Sequence, residues 1–104
     1  MKLRFTPRAM NDMMEIRRFI REDYGNPKAA RRILDSIFPQ CASLKQFPQS
    51  GTALSARFDV DTDVRYLVCD GYMIFYRVEG EFVSVGAVLH GSTDYLRVLF
   101  RREQ

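Results

Sequence analysis

The chain reads as one α+β domain, and three observations predict that class. Two apolar helical stripes come first, three strand-like runs joined by turns follow, and no low-complexity run, repeat or linker divides them. Segregated helices and hairpin-joined strands belong to α+β rather than to alternating βαβ architecture. A length of 104 residues allows a single domain over 1–104 and no second core. The expected order is β-α-α-β-β-β: an N-terminal strand, an antiparallel two-helix hairpin, then a three-strand antiparallel meander.

Residues 2–5 alternate polar and apolar, with Leu3 and Phe5 on one face, which predicts a short strand. Thr6-Pro7 then supplies an N-cap and a first-turn proline. Ala9, Met13, Ile16, Ile20 and Tyr24 follow at spacings of four, three, four and four, one apolar stripe that leaves Arg17, Arg18 and Arg21 largely outside. Gly25 is the stop and Asn26-Pro27 the next start, so two helices are joined by almost no loop. The second stripe is Ala30, Ile33, Leu34, Ile37, Cys41 and Leu44. Pro39 interrupts it; a proline inside a helix costs about 3 kcal/mol, so a kink or a break with a short restart is expected there.

The run from Phe47 to Gly51 ends the helical half, and residues 52–63 show no period. Three strand signals follow: Val64–Val68, Tyr72–Val78 and Phe82–His90, separated by turns at Cys69-Asp70-Gly71 and Glu79-Gly80-Glu81. Strict alternation in the last run puts Ser84, Gly86 and Val88 on one face, small enough for helices to pack closely. Residues 94–100 suit a final helical turn or strand.

Composition excludes several classes of function. The 46% hydrophobic and 28% charged fractions are those of a globular protein, not a disordered tail. The net charge is only +3, but 13 of the 16 basic residues are arginine, the side chain suited to bidentate contact with carboxylate or phosphate. An acidic protein partner, a nucleic acid and a merely solvated surface all fit that bias. Cys41 and Cys69 read as reduced, half-buried core thiols, and no apolar stretch suits a secretory signal or membrane span, so a cytoplasmic protein is expected.

No metal and no cofactor are expected. The Cys and His residues lack ligand spacing. Asp59, Asp61 and Asp63 resemble the start of a calcium loop, but the sixth and twelfth positions hold Val64 and Asp70 where glycine and glutamate are needed. His90, the single histidine, could serve as an acid or base or be a strand-end residue bonded to backbone. Arg65 and Arg77 could mark a phosphate site or pair with carboxylates such as Asp63 or Glu79.

The blocks Val64-Arg65-Tyr66-Leu67-Val68, Gly71-Tyr72-Met73-Ile74-Phe75-Tyr76-Arg77-Val78 and Val88-Leu89-His90-Gly91 resemble the signature of the RelE/ParE superfamily of bacterial toxins. Tyr24-Gly25, Ala29-Ala30-Arg31, Leu44, Phe47-Pro48 and Gly51 are similar to the helical half of the same family, so the resemblance spans about residues 2–96. It implies the toxin of a type II toxin–antitoxin module, associated with growth inhibition and plasmid stabilisation. The implied partner is a cognate antitoxin, a small DNA-binding protein with an acidic tail.

Two branches of the superfamily act differently. ParE-like members inhibit DNA gyrase; RelE-like members cleave mRNA on the ribosome, using a strand arginine just after the position of Tyr72. Here that position is Met73, and Ser92-Thr93-Asp94 replaces the arginine often found after His-Gly in ParE-like members. The ParE-like branch is the better match, with a RelE-like nuclease as the alternative and an inactivated homologue acting as a binding or co-repressor module as the second. The resemblance nominates Arg17, Arg18, Arg21, Arg31 and Arg32 for the antitoxin, and Arg65, Arg77, His90, Asp94 and Tyr95 for the cellular target. Arg65 and His90 are the catalytic candidates if the chain is a nuclease.

Overall fold

The computed structural model describes residues 1–100. Lys2–Phe5 forms β1 and Phe82–His90 forms β5, and the two run parallel, with Leu3 beside Val83 and Phe5 beside Val85. Tyr72–Glu79 (β4) pairs antiparallel with β5 and with β3 (Arg65–Cys69), and a two-residue strand, Thr52–Ala53 (β2), adds the far edge. The sheet order is therefore β1-β5-β4-β3-β2. The expected meander is present, but the sheet is mixed, because β1 returns to β5 only after the helices have crossed one face. Asp70 and Gly71 form the β3–β4 turn at φ 51° and 82°, a pair of left-handed residues that continues the twist of the strands.

One face of the sheet is covered by α1 (Pro7–Arg18) and α2 (Pro27–Ser43), which bring Ala9, Met13, Ile16, Ala30, Ile37 and Cys41 onto Ile74, Tyr76, Val83 and Val85. Both predicted caps are made: Thr6 Oγ1 accepts from the N–H of Ala9 at 3.1 Å, and Asn26 Oδ1 from that of Ala29 at 3.1 Å. Of the two outcomes expected at Pro39, the break does not occur: α2 runs unbroken through it. Asp35 and Pro39 both lie on the exposed side, so the carbonyl that loses its N–H partner is open to water. Between the helices, Phe19–Asp23 forms a π turn, a feature the spacing does not announce.

The other face is not bare. A single turn, α3 (Leu54–Arg57), the coil to Val64 and α4 (Tyr95–Phe100) pack over Tyr66, Met73, Phe75 and Ala87, with Leu54 fully buried. The aperiodic stretch 52–63 thus holds a two-residue edge strand and one helical turn, and its remainder covers this face of the sheet.

The expected shared face of Ser84, Gly86 and Val88 is corrected by a β-bulge. Tyr76 lies opposite Val85 and Phe75 opposite Ala87, so Gly86 is the extra residue and the alternation flips there. Val83, Val85 and Val88 face the helices, whereas Ala87 joins the opposite cluster. The bulge falls where β1 has ended, and α1 supplies the missing partners. Thr6 Oγ1 donates to the carbonyl of Gly86 at 3.1 Å, and Asp12 Oδ2 accepts from the N–H of Val88 at 3.0 Å.

Cys41 and Cys69 are free; Cys41 is fully buried, deeper than expected, and Cys69 is 9% exposed. Burial pushes the Cys41 thiol up to about 12 and raises that of Cys69 as well, with the charge of Asp70 adding to the second. Because the thiolate is the nucleophile, labelling by an aromatic disulfide at pH 8 should run about a hundredfold slower in the native protein than in denaturant. Fast native labelling of Cys41 would contradict this packing.

Candidate functional site

Between α1 and α2 the surface opens into a groove of ≈ 500 Å³. Its cations are Arg17, Arg21 and Arg31, and its apolar floor comes from Ala30, Leu34 and Phe38, with Asp35 as its one carboxylate. At about 100° per residue, Met10 and Met14 extend the Arg17 flank of α1, and Met14 is 66% exposed. Exposed thioethers beside a greasy, cation-edged groove suit a surface that adapts to a partner. Among the described residues Arg17 and Arg31 make no ion pair, and Arg21 meets only Glu22, at 3.3 Å.

The five helix arginines therefore separate. Arg17, Arg21 and Arg31 converge on the groove. Arg18 is turned to the other flank of α1, where Glu15, Glu22 and Asp23 approach it at 3.3, 3.7 and 3.9 Å; the hydrogen bond it donates to Glu15 is the main cause that raises its pKa. Arg32 is exposed and stands outside the groove lining.

The residues nominated for the target do not gather. Arg65 donates to the carbonyls of Gly51 at 2.8 Å and Gln49 at 3.4 Å, holding the loop before β2. Tyr76 completes that lock: its hydroxyl donates to the carbonyl of Pro48 at 2.8 Å and accepts from the N–H of Gly51 at 2.9 Å. A Cβ at Gly51 would lie 2.5 Å from that hydroxyl, so glycine is required. Tyr76→Phe strands two buried backbone groups and should lower stability by about 1–3 kcal/mol in urea unfolding, with an unchanged m-value. A loss below a few tenths would show that water replaces the phenol.

Arg77 sits on the opposite face in a bidentate pair with Asp63, at 2.7 and 3.1 Å. That hydrogen bond holds the Asp63 carboxyl below the usual carboxylate range. Both partners are exposed, so the pair contributes little to stability. His90 ends β5 with Nδ1 2.7 Å from Ser92 Oγ and accepting from the N–H of Ser92 at 3.1 Å, which places the proton of the neutral ring on Nε2. Asp94, just before α4, meets Arg97 at 3.6 Å, and Tyr95 packs its ring on Phe58 and Phe75 at 5.8 and 5.4 Å.

Arg65 pairs with Tyr76 and His90 with Tyr72, four residues apart along β4, or roughly 13 Å at about 3.3 Å per residue. The two catalytic candidates thus lie at different ends of the sheet. Met73 is buried among Tyr66, Phe75 and Ala87, where it offers neither charge nor proton to a substrate.

Sequence reasoning missed Phe38 and Leu34 as groove floor and Asp12 as the clamp on the bulge. Phe38 follows Leu34 by four residues on the exposed border of the α2 stripe, a surplus of apolar width that could have signalled a second contact. Among the described residues, no group of three or more His, Cys, Asp and Glu could hold a metal, and no helix is long and apolar enough to cross a membrane.

Comparison with known proteins places this arrangement in a lineage. No curated protein matches the sequence. A solved chain of the chromosomal ParDE toxin–antitoxin system from P. aeruginosa superposes with a TM-score of 0.72 at 23% identity, covering 86% of this chain and 95% of that one. At that identity the likeness shows the fold. The family model described as the ParE toxin of the type II toxin–antitoxin system parDE matches residues 3–95, and on that match the chain belongs to the ParE toxin family.

Proposed function

We propose that this toxin is neutralised by an antitoxin whose acidic, amphipathic segment lies in the α1/α2 groove, and that its free form inhibits DNA gyrase. The observation that carries the first half is the convergence of Arg17, Arg21 and Arg31 on an apolar floor ending at Phe38. Such a surface matches a helix with an apolar stripe and acidic flanks, which orders as it binds and is steered by charge. Two features support gyrase over mRNA cleavage. A ribonuclease needs a base near the ribose hydroxyl and cations on the phosphate, and removing one stabilising group typically costs about 10²–10³ in rate. Met73 is buried, and Arg65 and His90 are remote from each other and engaged locally.

Expression without the adjacent small gene should arrest growth, and co-expression should relieve the arrest and yield a stable complex. The purified toxin should block supercoiling by gyrase and leave a ribosome-bound message intact. Codon-dependent cuts that vanish in His90→Ala would overturn the gyrase reading. Absence of both growth arrest and complex would overturn the toxin reading, and a complex without arrest would leave a binding module only.

A further inference from the structure

The opposite flank of α1 carries a second cleft, which the antitoxin reading does not use. Its volume is ≈ 540 Å³, and it lies between α1, the π turn and the Tyr72/His90 end of the sheet. Ile16, Val88 and Leu89 form an apolar floor. The walls are aromatic: Tyr72 meets His90 edge to face at 5.3 Å and 89°, and Phe19 meets Tyr24 at 5.1 Å and 88°.

The second aromatic pair depends on the π turn. In an α-helix, residues five apart point about 140° away from each other. Here the N–H of Tyr24 bonds the carbonyl of Phe19 at 3.3 Å, and the widened turn brings the two rings together edge to face on one side. Single π turns are frequent at functional sites, and this one builds a cleft wall. Tyr72 is reached from across the cleft: burial first, and then the nearby Tyr24 phenol, raise the pKa of its hydroxyl.

The charge of the cleft opposes that of the molecule. In a chain of net charge +3 the lining holds Asp12 and Glu15 against Arg18, which its own acidic neighbours already hold, while Arg8 reaches Asp12 at 3.6 Å from outside the lining. Asp12 gives Oδ2 to Val88 and Arg8, and Arg18 takes Glu15 Oε2. Among the described residues, Asp12 Oδ1 and Glu15 Oε1 accept no bond. Aromatic faces around free carboxylate oxygens recognise a cation by ring quadrupole and charge together.

We propose that this cleft takes the guanidinium of an arginine side chain presented by a partner protein. A planar guanidinium can stack on the rings and fork onto a carboxylate, which a compact ammonium cannot do. Nucleic acid is disfavoured by the sign of the lining. Phe19 and Tyr24, 43% and 71% exposed, leave an apolar rim around the mouth that the surface of a protein would cover. Arginine and tyrosine are also both enriched among the residues that carry the energy of protein interfaces. The flank differs from that of the antitoxin groove, so the proposal stands whichever target the toxin has.

Isotope-labelled full chain, separated from its antitoxin, is titrated with blocked Gly-Arg-Gly and with the same peptide carrying citrulline or lysine. The arginine peptide should shift the amides of Tyr72, Leu89, His90 and Ser92, binding about tenfold or more tightly than its uncharged citrulline isostere. Tyr24→Leu and Glu15→Gln alter exposed side chains, and the rest of the spectrum reports that the fold survives. Each should weaken the arginine peptide several-fold and leave citrulline unchanged. Equal binding of arginine and citrulline, shifts centred elsewhere, or variants that bind arginine normally would overturn the site. Lysine binding as tight as arginine would overturn the guanidinium assignment.

Discussion

Replacing Arg17, Arg21 and Arg31 together with glutamate is expected to slow antitoxin association by about ten- to a hundredfold at low salt and to abolish the acceleration that low salt gives the native pair. The groove carries three arginines and one aspartate, a charge of +2 that the triple variant turns to −4. The substituted side chains lie on exposed helix and turn surface, and glutamate and arginine have similar helix propensity, so the fold should persist. Dissociation should change less than association, because the apolar contacts at Leu34 and Phe38 remain in place. Stopped-flow mixing at two ionic strengths reads both effects. The informative control is Arg18→Glu with Arg32→Glu, which reverses charges that the structure keeps out of the groove. Exposed charges more than about 10 Å apart are largely screened at 0.1 M salt, so this control should be nearly silent there. If it slows association as much as the triple variant, net charge alone steers the encounter and the groove assignment fails.

The difference between those two sets of arginines shows where the sequence was legible and where it was not. All five fall outside the apolar stripes, and that much is periodicity. Which flank of the helix each occupies depends on how α1 sits over β5, and that is settled by the Gly86 bulge and by the clamp from Asp12, 76 positions away in sequence. Caps, turns and the three main strands were readable because each is specified by neighbours within four residues: Thr6 with Pro7, Asn26 with Pro27, Asp70 with Gly71. The flip in β5 was not, since a bulge changes the facing of every later residue without altering the run of small and apolar side chains. The π turn escaped for a related reason. Ile20 and Tyr24 keep an α-helical spacing of four, and the pattern cannot reveal that the hydrogen bond from Tyr24 has slipped to Phe19. For the target residues, the family resemblance nominated a set, whereas the tertiary structure uses Arg65, Arg77 and Tyr95 to hold a loop, an ion pair and a helix.

The largest stability effect is expected at Phe75. Its ring is 2% exposed and lies between Tyr66, at 6.2 Å, and Tyr95, at 5.4 Å, so it joins the sheet to the helix that covers it. Phe75→Ala removes that contact and opens a cavity that the rigid strands on either side cannot close, for a loss of about 3–5 kcal/mol. Against a typical total of about 5–15 kcal/mol, that is a fifth of the stability or more. The midpoint of thermal unfolding should then fall by about 12–40 °C, using about 4–8 °C per kcal/mol for a domain of this size. Tyr95→Ala truncates the other side of the same contact but at a half-buried position near the end of the described chain. Its effect should be smaller and local: α4 amides lose hydrogen-exchange protection while the protection of β4 and β5 stays near the global value. The pair of variants therefore separates two descriptions of the lower cluster. A second core gives a large global loss for Phe75→Ala and a local one for Tyr95→Ala. A loosely docked C-terminal segment would give losses under about 1 kcal/mol for both, and that outcome would mean the face opposite α1 and α2 is open in solution.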